Sequence, residues 1–435
     1  MPKVNHKAFR FIQTLEGVSE YAHNKNGLHL LVWEDHSAPV VALNVTYLVG
    51  SRNEAVGHTG ATHLLEHLMF KGSKKFNKKT GKEIDKIVFG MGAQANATTW
   101  FDGTNYWELL PSNRLDELMV LEADRMRGAI LEESDRASEM PVVRNEFERH
   151  ENEPGQVLEK EVWATAFREH PYHHPTIGWR ADVENMSIER LREFYDTFYW
   201  PNNAYLIITG DVEMGRALDL TDKYFGKVKQ STHKIPAMYT SEPPQQGPHR
   251  LILRRAGEVP MVHIAHKVPP ILHTDEHALN VLAGALGRGR SARLYRALVD
   301  TALVTGVGVS NQSFHDGGLF TTVAHLVPGV APEKVEKIVL AEYTRIIKHG
   351  VTTKELEREK YIVKVAKSFA KDGPLGLASQ LNESIAAGDW RFALDYSKKT
   401  DLVKTADVKR VAGAYLIEDG STIGYFEPKK NNTTN

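Results

Sequence analysis

Residues 60–70 read Gly-Ala-Thr-His-Leu-Leu-Glu-His-Leu-Met-Phe, with His63, Leu64, His67, Leu68 and Phe70 at helical spacing. Residues four apart on a helix share a face, about one turn apart, so His63 and His67 can present two imidazoles to a single ion. Glu66 lies three residues from His63, near that face but rotated off the ligand axis. It can reach a metal-bound water without ligating. The pattern is His-x-x-Glu-His, the inverted relative of His-Glu-x-x-His. Two imidazoles suit zinc, at Zn–N distances of about 2.0–2.1 Å. The plainer alternative is two surface histidines on an amphipathic helix, but the apolar neighbours make partnerless imidazole and charge costly there.

Outward from this helix the chain alternates strands and helices. Residues 28–33 and 40–49 before it, rich in β-branched side chains, predict strands, and 94–110 after it returns to Thr- and aromatic-rich strand chemistry with Asp102-Gly103 as a turn. Helices are predicted over 112–131 and 138–152 and a strand over 204–210. Residues 230–249 carry four prolines with little apolar periodicity and form the best linker. The order then starts again: strands at 250–254 and 261–266, a helix from about 274, a strand near 317–326, helices across 332–348 and 353–371, and a closing strand at 421–426. A repeat of roughly 200 residues predicts two similar halves, 1–235 and 236–435. The expected fold class is α+β: two homologous halves, mostly antiparallel sheets with helices on one face. The last residues, Lys-Lys-Asn-Asn-Thr-Thr-Asn, read as a frayed polar tail.

Composition removes several functions. Lys and Arg number 54 against 55 Asp and Glu, a net charge of -1 with His neutral, so no general attraction for nucleic acid is expected. Without cysteine there is no disulfide, thiolate zinc finger, iron–sulfur cluster or cysteine nucleophile. No apolar run approaches the roughly 20 residues of a membrane span, and the N-terminal stretch has no signal-peptide apolar region.

A catalytic zinc needs a third protein ligand and an open position. Glu139 and Glu146, in Ser-Glu-Met-Pro-Val-Val-Arg-Asn-Glu-Phe-Glu-Arg-His, are two helical turns apart and share a face. One can ligate while the other supports a ligating His. Both can equally be helix-surface glutamates, and local chemistry does not choose between them.

GATHLLEHLMFKGS and EMPVVRNEFERHEN, with HPYHHPTIG and FYWPNNAYLIITGDVE, resemble the M16 metallopeptidases, the family of pitrilysin, insulin-degrading enzyme and mitochondrial processing peptidase. The likeness covers essentially the whole chain and is nearest the short bacterial members. It implies a zinc endopeptidase with one Zn2+ per chain on His63, His67 and Glu146, Glu66 as general base and Glu139 as supporting acid. It also implies that QANATTWFDGTNY resembles the strand that pairs with the substrate backbone, with Asn96 and Ala97 as substrate-binding residues. An ordinary strand and hairpin is the alternative there. The second half has no His-x-x-Glu-His, so no second zinc site is expected.

In the family the second half lends an Arg and a Tyr to the site. In GRGRSARLYRALVDTALVTGVG, Arg293 fits the Arg as a substrate-binding residue, or is a helix-surface cation. Thr305 or Gly306 stands where the Tyr falls. The departure points to a heterodimer with a homologous M16 subunit that supplies the Arg–Tyr pair, a homodimer being the alternative. Exported relatives of this size favour a periplasmic location with the signal absent from this chain, the cytoplasm being the alternative. The opposing function is a non-catalytic core subunit, as in the respiratory bc1 complex. His170, His173 and His174 are assigned a structural loop, since Pro breaks the metal-ligand spacing. GALGRGRS lacks the Gly-Lys-Ser/Thr of a P-loop.

Overall fold

The runs Leu-His-Leu-Leu-Val-Trp and Ala-Tyr-Leu-Ile-Ile-Thr-Gly lack the polar alternation of a half-exposed strand, because both faces of their sheet are covered. The computed structural model describes residues 3–370 and 373–429; the polar tail from 430 onward lies outside the described residues. The strands are β1 (Phe9–Leu15), β2 (Val18–His23), β3 (His29–Glu34), β4 (Val40–Tyr47), β5 (Gln94–Thr99), β6 (Thr104–Pro111), β7 (Ala204–Gly210), β8 (His249–Arg255), β9 (Met261–Val268), β10 (Val304–Phe314), β11 (Gly317–Leu326) and β12 (Ser421–Pro428). The helices run α1 (Ala61–Leu68), α2 (Ile84–Gly90), α3 (Leu115–Gly128), α4 (Glu133–Asn152), α5 (Pro154–Ala166), α6 (Arg180–Asn185), α7 (Ile188–Phe198), α8 (Met214–Tyr224), α9 (Glu276–Gly287), α10 (Pro332–His349), α11 (Thr353–Ala370), α12 (Pro374–Ala386), α13 (Arg391–Asp401) and α14 (Thr405–Tyr415).

Two compact units result. The first comprises 1–146, 175–239 and 368–394, the second 147–174, 240–367 and 395–435. The first holds a seven-stranded sheet in the order β1-β2-β3-β7-β4-β6-β5, antiparallel except where β3 meets β7. Leu30, Val32, Leu43, Val45, Leu206 and Ile208 turn to one face, buried with Leu64, Leu65 and Leu68 of α1. Leu31, Ala42 and Ile207 turn to the other, against Leu377, Ala378 and Leu381 of α12. The helical layer expected on one face is therefore joined by a helix that returns late in the chain to cover the second. Thr46 Oγ1 reaches Asn382 Oδ1 at 2.7 Å across that contact.

The second unit holds a five-stranded sheet in the order β10-β11-β9-β12-β8, antiparallel except where β12 meets β8. Its main core joins α9, α10 and α14 to one sheet face. The other face is covered by α5: a Cβ at Gly424 of β12 would meet Val162 and Leu158 of α5 at 2.8 and 3.0 Å. Each unit is thus one twisted sheet between helical layers, mostly antiparallel, in the two-half α+β class read from the sequence. Among the described residues no helix is long and apolar enough to cross a membrane.

Candidate metal centre

α1 lies under the sheet of the first unit by burying Leu64, Leu65 and Leu68, each at most 1% exposed. That orientation leaves His63, Glu66 and His67 half-buried on its other side. The helix starts at Gly60, whose φ of 86° is left-handed, and a Cβ there would fall 2.6 Å from the Ile177 carbonyl oxygen. Glycine answers both demands. Glu54 accepts from the amides of Gly60 (2.8 Å) and Thr62 (2.7 Å), occupying donors that the first turn leaves without helical partners. Burial pushes the Glu54 carboxyl up to about 8, against the pull of those hydrogen bonds. Asp182 takes the amides of Gly57 and Thr59 and the Thr59 hydroxyl, fixing the approach to the helix.

α4 brings the acidic partners. Glu146 Oε2 lies 3.7 Å from His63 Nε2 and 3.7 Å from His67 Nε2. The three ligand atoms lie within 4.8 Å of one another, and among the described residues this is the one such group of three His, Asp or Glu. Donors about 2.0–2.1 Å from a tetrahedral zinc sit about 3.3 Å apart, so small side-chain shifts would close the three on an ion. Two neutral nitrogens and one carboxylate form a donor set that fits zinc. Glu139, two turns earlier on α4, instead meets His67 at Nδ1, 3.1 Å away, and its other oxygen pairs with Lys71. Burial would raise the Glu139 carboxyl, but the bonds from Lys71 and His67 bring it below its ordinary value. The two glutamates that local sequence left equivalent therefore occupy different edges of the same imidazole. Glu66 is raised, chiefly by burial, and its Oε2 accepts from Thr99 Oγ1.

The zinc protease PqqE of Helicobacter pylori is 32% identical to this chain over 409 residues, which cover 93% of the chain and 91% of that protein. The chain belongs to peptidase family M16. The family profile described as Insulinase (Peptidase family M16) matches residues 30–179, and that described as Peptidase M16 inactive domain matches 185–362. A crystal structure of a protease from Helicobacter pylori superposes with a TM-score of 0.90 at 30% identity, over 95% of this chain and all of that one. Subunit 1 of the bovine mitochondrial cytochrome b-c1 complex is 26% identical over 433 residues, 96% of this chain and 88% of that subunit. The periplasmic protease PqqL of Escherichia coli shares the M16 fold at a TM-score of 0.80 and 17% identity; the match covers 97% of this chain and 48% of PqqL.

The remaining predicted M16 site residues are distributed as follows. Asn96 and Ala97 sit on β5, one of the two edge strands of the seven-stranded sheet, paired on one side with Trp107 and Tyr106 of β6. Asn96 is exposed, and its Oδ1 accepts from the Ala97 amide at 2.9 Å. Arg293 lies in the second unit, where Nε and Nη2 hold Glu355 at 2.7 and 2.8 Å and Nη2 also reaches the Gly350 carbonyl at 3.1 Å. Thr305 and Gly306 fall at the start of β10, at a shift in its register with β11. The His170 loop folds on itself: His170 Nδ1 accepts from the Tyr172 amide at 3.1 Å, and Nε2 lies 3.3 Å from Asp316. Glu54, Asp182 and Thr99 are the site-building residues that sequence reading missed. A Glu six residues ahead of a helix-opening Gly was the one available hint.

Proposed function

We propose that this chain is a zinc-dependent endopeptidase that hydrolyses peptides or unfolded segments. The observation that carries the reading is the convergence of His63 Nε2, His67 Nε2 and Glu146 Oε2, with Glu66 beside them on α1. His63, His67 and Glu146 would hold the metal. Zinc bound there supplies Lewis acidity that acidifies water and polarises a peptide carbonyl.

The protein's own groups do the rest. Glu66 takes the proton of the attacking water and later delivers it to the leaving amine. Glu139 accepts from Nδ1–H of His67, which fixes the tautomer that offers Nε2 to the metal. The open edge of β5 at Asn96 and Ala97 suits an extended peptide added as a further strand, held through main-chain hydrogen bonds with little demand on its side chains. Arg293 would have to leave Glu355 to meet substrate, and the reading does not depend on it.

The proposed partner is a second M16 chain supplying the Arg and Tyr that this one lacks at Thr305 and Gly306; a homodimer is the alternative. Support comes from size, since the chain matches about half of PqqL. The second reading, a non-catalytic assembly subunit, draws on the likeness to the bovine cytochrome b-c1 subunit. A scaffold has no need of a carboxylate beside two paired imidazoles, which favours the peptidase.

The deciding experiment loads the purified chain with zinc and offers it a mixture of unstructured peptides, with Glu66→Gln as control. We expect hydrolysis, alone or with a homologous chain added, and zinc retained but turnover lost in the variant. Undiminished activity of Glu66→Gln would overturn the assignment.

A further inference from the structure

The Glu66 carboxylate receives its hydrogen bond from a different element. Thr99, the last residue of β5, donates through Oγ1 to Glu66 Oε2, which leaves Oε1 to accept a proton. β5 is also an edge strand, with no strand on its outer side among the described residues. Alternate side chains of a strand face the same side, so Thr99 shares the inward side of Ala97, which is 6% exposed, while Asn96 and Thr98 face outward and are exposed. One strand therefore touches the proposed base with its inner side and offers its backbone edge to the peptide.

We propose that Thr99 is a positioning residue: its hydroxyl holds the Glu66 carboxylate in the orientation that meets the attacking water and ties that orientation to the strand that receives the peptide. The inference rests on the peptidase reading above. The alternative, that Thr99 merely fastens β5 to α1, is opposed by independent fastenings. Beyond Thr99 the chain is tied back to the segment before α1 by Ser51 N to Trp100 O and Arg52 N to Phe101 O, both 3.0 Å, and by Arg52 with Asp102 at 3.1 Å. Gly50 permits that approach, since a Cβ there would fall 2.3 Å from the Trp100 and Phe101 carbonyl oxygens. Glu54, four residues on, holds the first turn of α1. What the Thr99 hydroxyl adds is the rotation of a carboxylate whose terminal torsion is otherwise broad.

The test compares Thr99→Val, which keeps the shape and removes the hydroxyl, with Thr99→Ser, which keeps the hydroxyl. Each is zinc-loaded and assayed with Glu66→Gln on one unstructured peptide, with zinc per chain and thermal unfolding measured alongside. Thr99→Val is expected to lose about 10–100-fold in kcat, a part of the 10²–10⁴-fold that a positioned general base supplies. Its KM is expected to stay within about threefold, with Thr99→Ser close to the parent in kcat, and zinc content unchanged in both. The proposal falls if Glu66→Gln is inactive while Thr99→Val keeps its kcat, if the loss appears in KM, if serine rescues nothing, or if Thr99→Val loses zinc. Full activity of Glu66→Gln would instead remove Glu66 as the base, and with it the reading of the site on which this inference rests.

Discussion

Glu139 Oε2 lies 3.1 Å from His67 Nδ1, the ring nitrogen that Glu146 does not face. A carboxylate on that nitrogen fixes the tautomer and raises the basicity of the other. Glu139→Ala is expected to weaken zinc binding about 10–100-fold with the fold intact. Competition with a chelator of known affinity checks it; an unchanged affinity would mean that His67 is oriented by packing alone.

Gly60→Ala should destabilise the first unit. A left-handed residue with a Cβ costs about 1–2 kcal/mol, and here the Cβ also meets the Ile177 carbonyl. Glu54→Ala is expected to act through the same helix end, leaving two buried amides without acceptors at about 1–3 kcal/mol each. Denaturant unfolding of the two variants reads both effects. Stability equal to the parent in either would show that α1 does not depend on this loop.

Arg293→Ala is expected to cost about 1–3 kcal/mol, because it takes the charged partner from the half-buried Glu355 and leaves it only the Thr352 amide and hydroxyl. Burial alone would raise Glu355, but Arg293 and Thr352 draw it down to about 2. Its contribution is therefore full above about 4.5 and is lost as pH falls towards 2. We expect KM for peptide to be unaffected. A raised KM at unchanged stability would assign Arg293 to the substrate instead.

Acid should unfold the second unit early. Burial holds His263, His266 and His277 down at about 4, against 6.5 for a free imidazole. The folded state resists their protonation, so their stabilisation is complete above about 6.5 and is lost as pH falls towards 4, at about 1.4 kcal/mol per unit of displacement. Glu276, which burial raises to about 7, works in the opposite sense between about 4.5 and 7. His249, also lowered by burial, acts with the three imidazoles, and Glu159, raised by burial, acts with Glu276. With four imidazoles against two carboxylates, unfolding midpoints should rise from pH 4 to 6.5; a flat profile would show that these imidazoles reach water.

The strands were legible where burial is continuous: β7 and β11 have the predicted bounds because both-face burial writes apolar runs into them. The β1–β2 hairpin, β10 and the helices from 374 onward were not read. Their apolar positions are sparser, and α12 becomes an obvious core helix only against the sheet face it covers. His63, Glu66 and His67 were readable because one helix turn joins them. Choosing between Glu139 and Glu146 needed the family likeness, since geometry 72 and 79 residues from His67 is invisible locally. Thr99 looks like any strand threonine. Arg125 and Glu122 look like surface charges on α3, yet both are buried with Glu108, the guanidinium 4.5 Å over the Tyr106 ring. Tertiary context alone turns them inward.

The bare edge of β5 carries a hazard. An unpaired strand edge invites other chains to stack on it, and soluble proteins commonly guard such edges with lysine, proline or a bulge. Here the outer strand reads Gln-Ala-Asn-Ala-Thr-Thr, without a charge or a proline, and its first three side chains are exposed. Any unfolded neighbour, including another copy of this chain during synthesis, could pair with it. Under the proposed function, colloidal behaviour and peptide capture draw on one surface. A lysine placed there to improve solubility would be expected to compete directly with the incoming peptide.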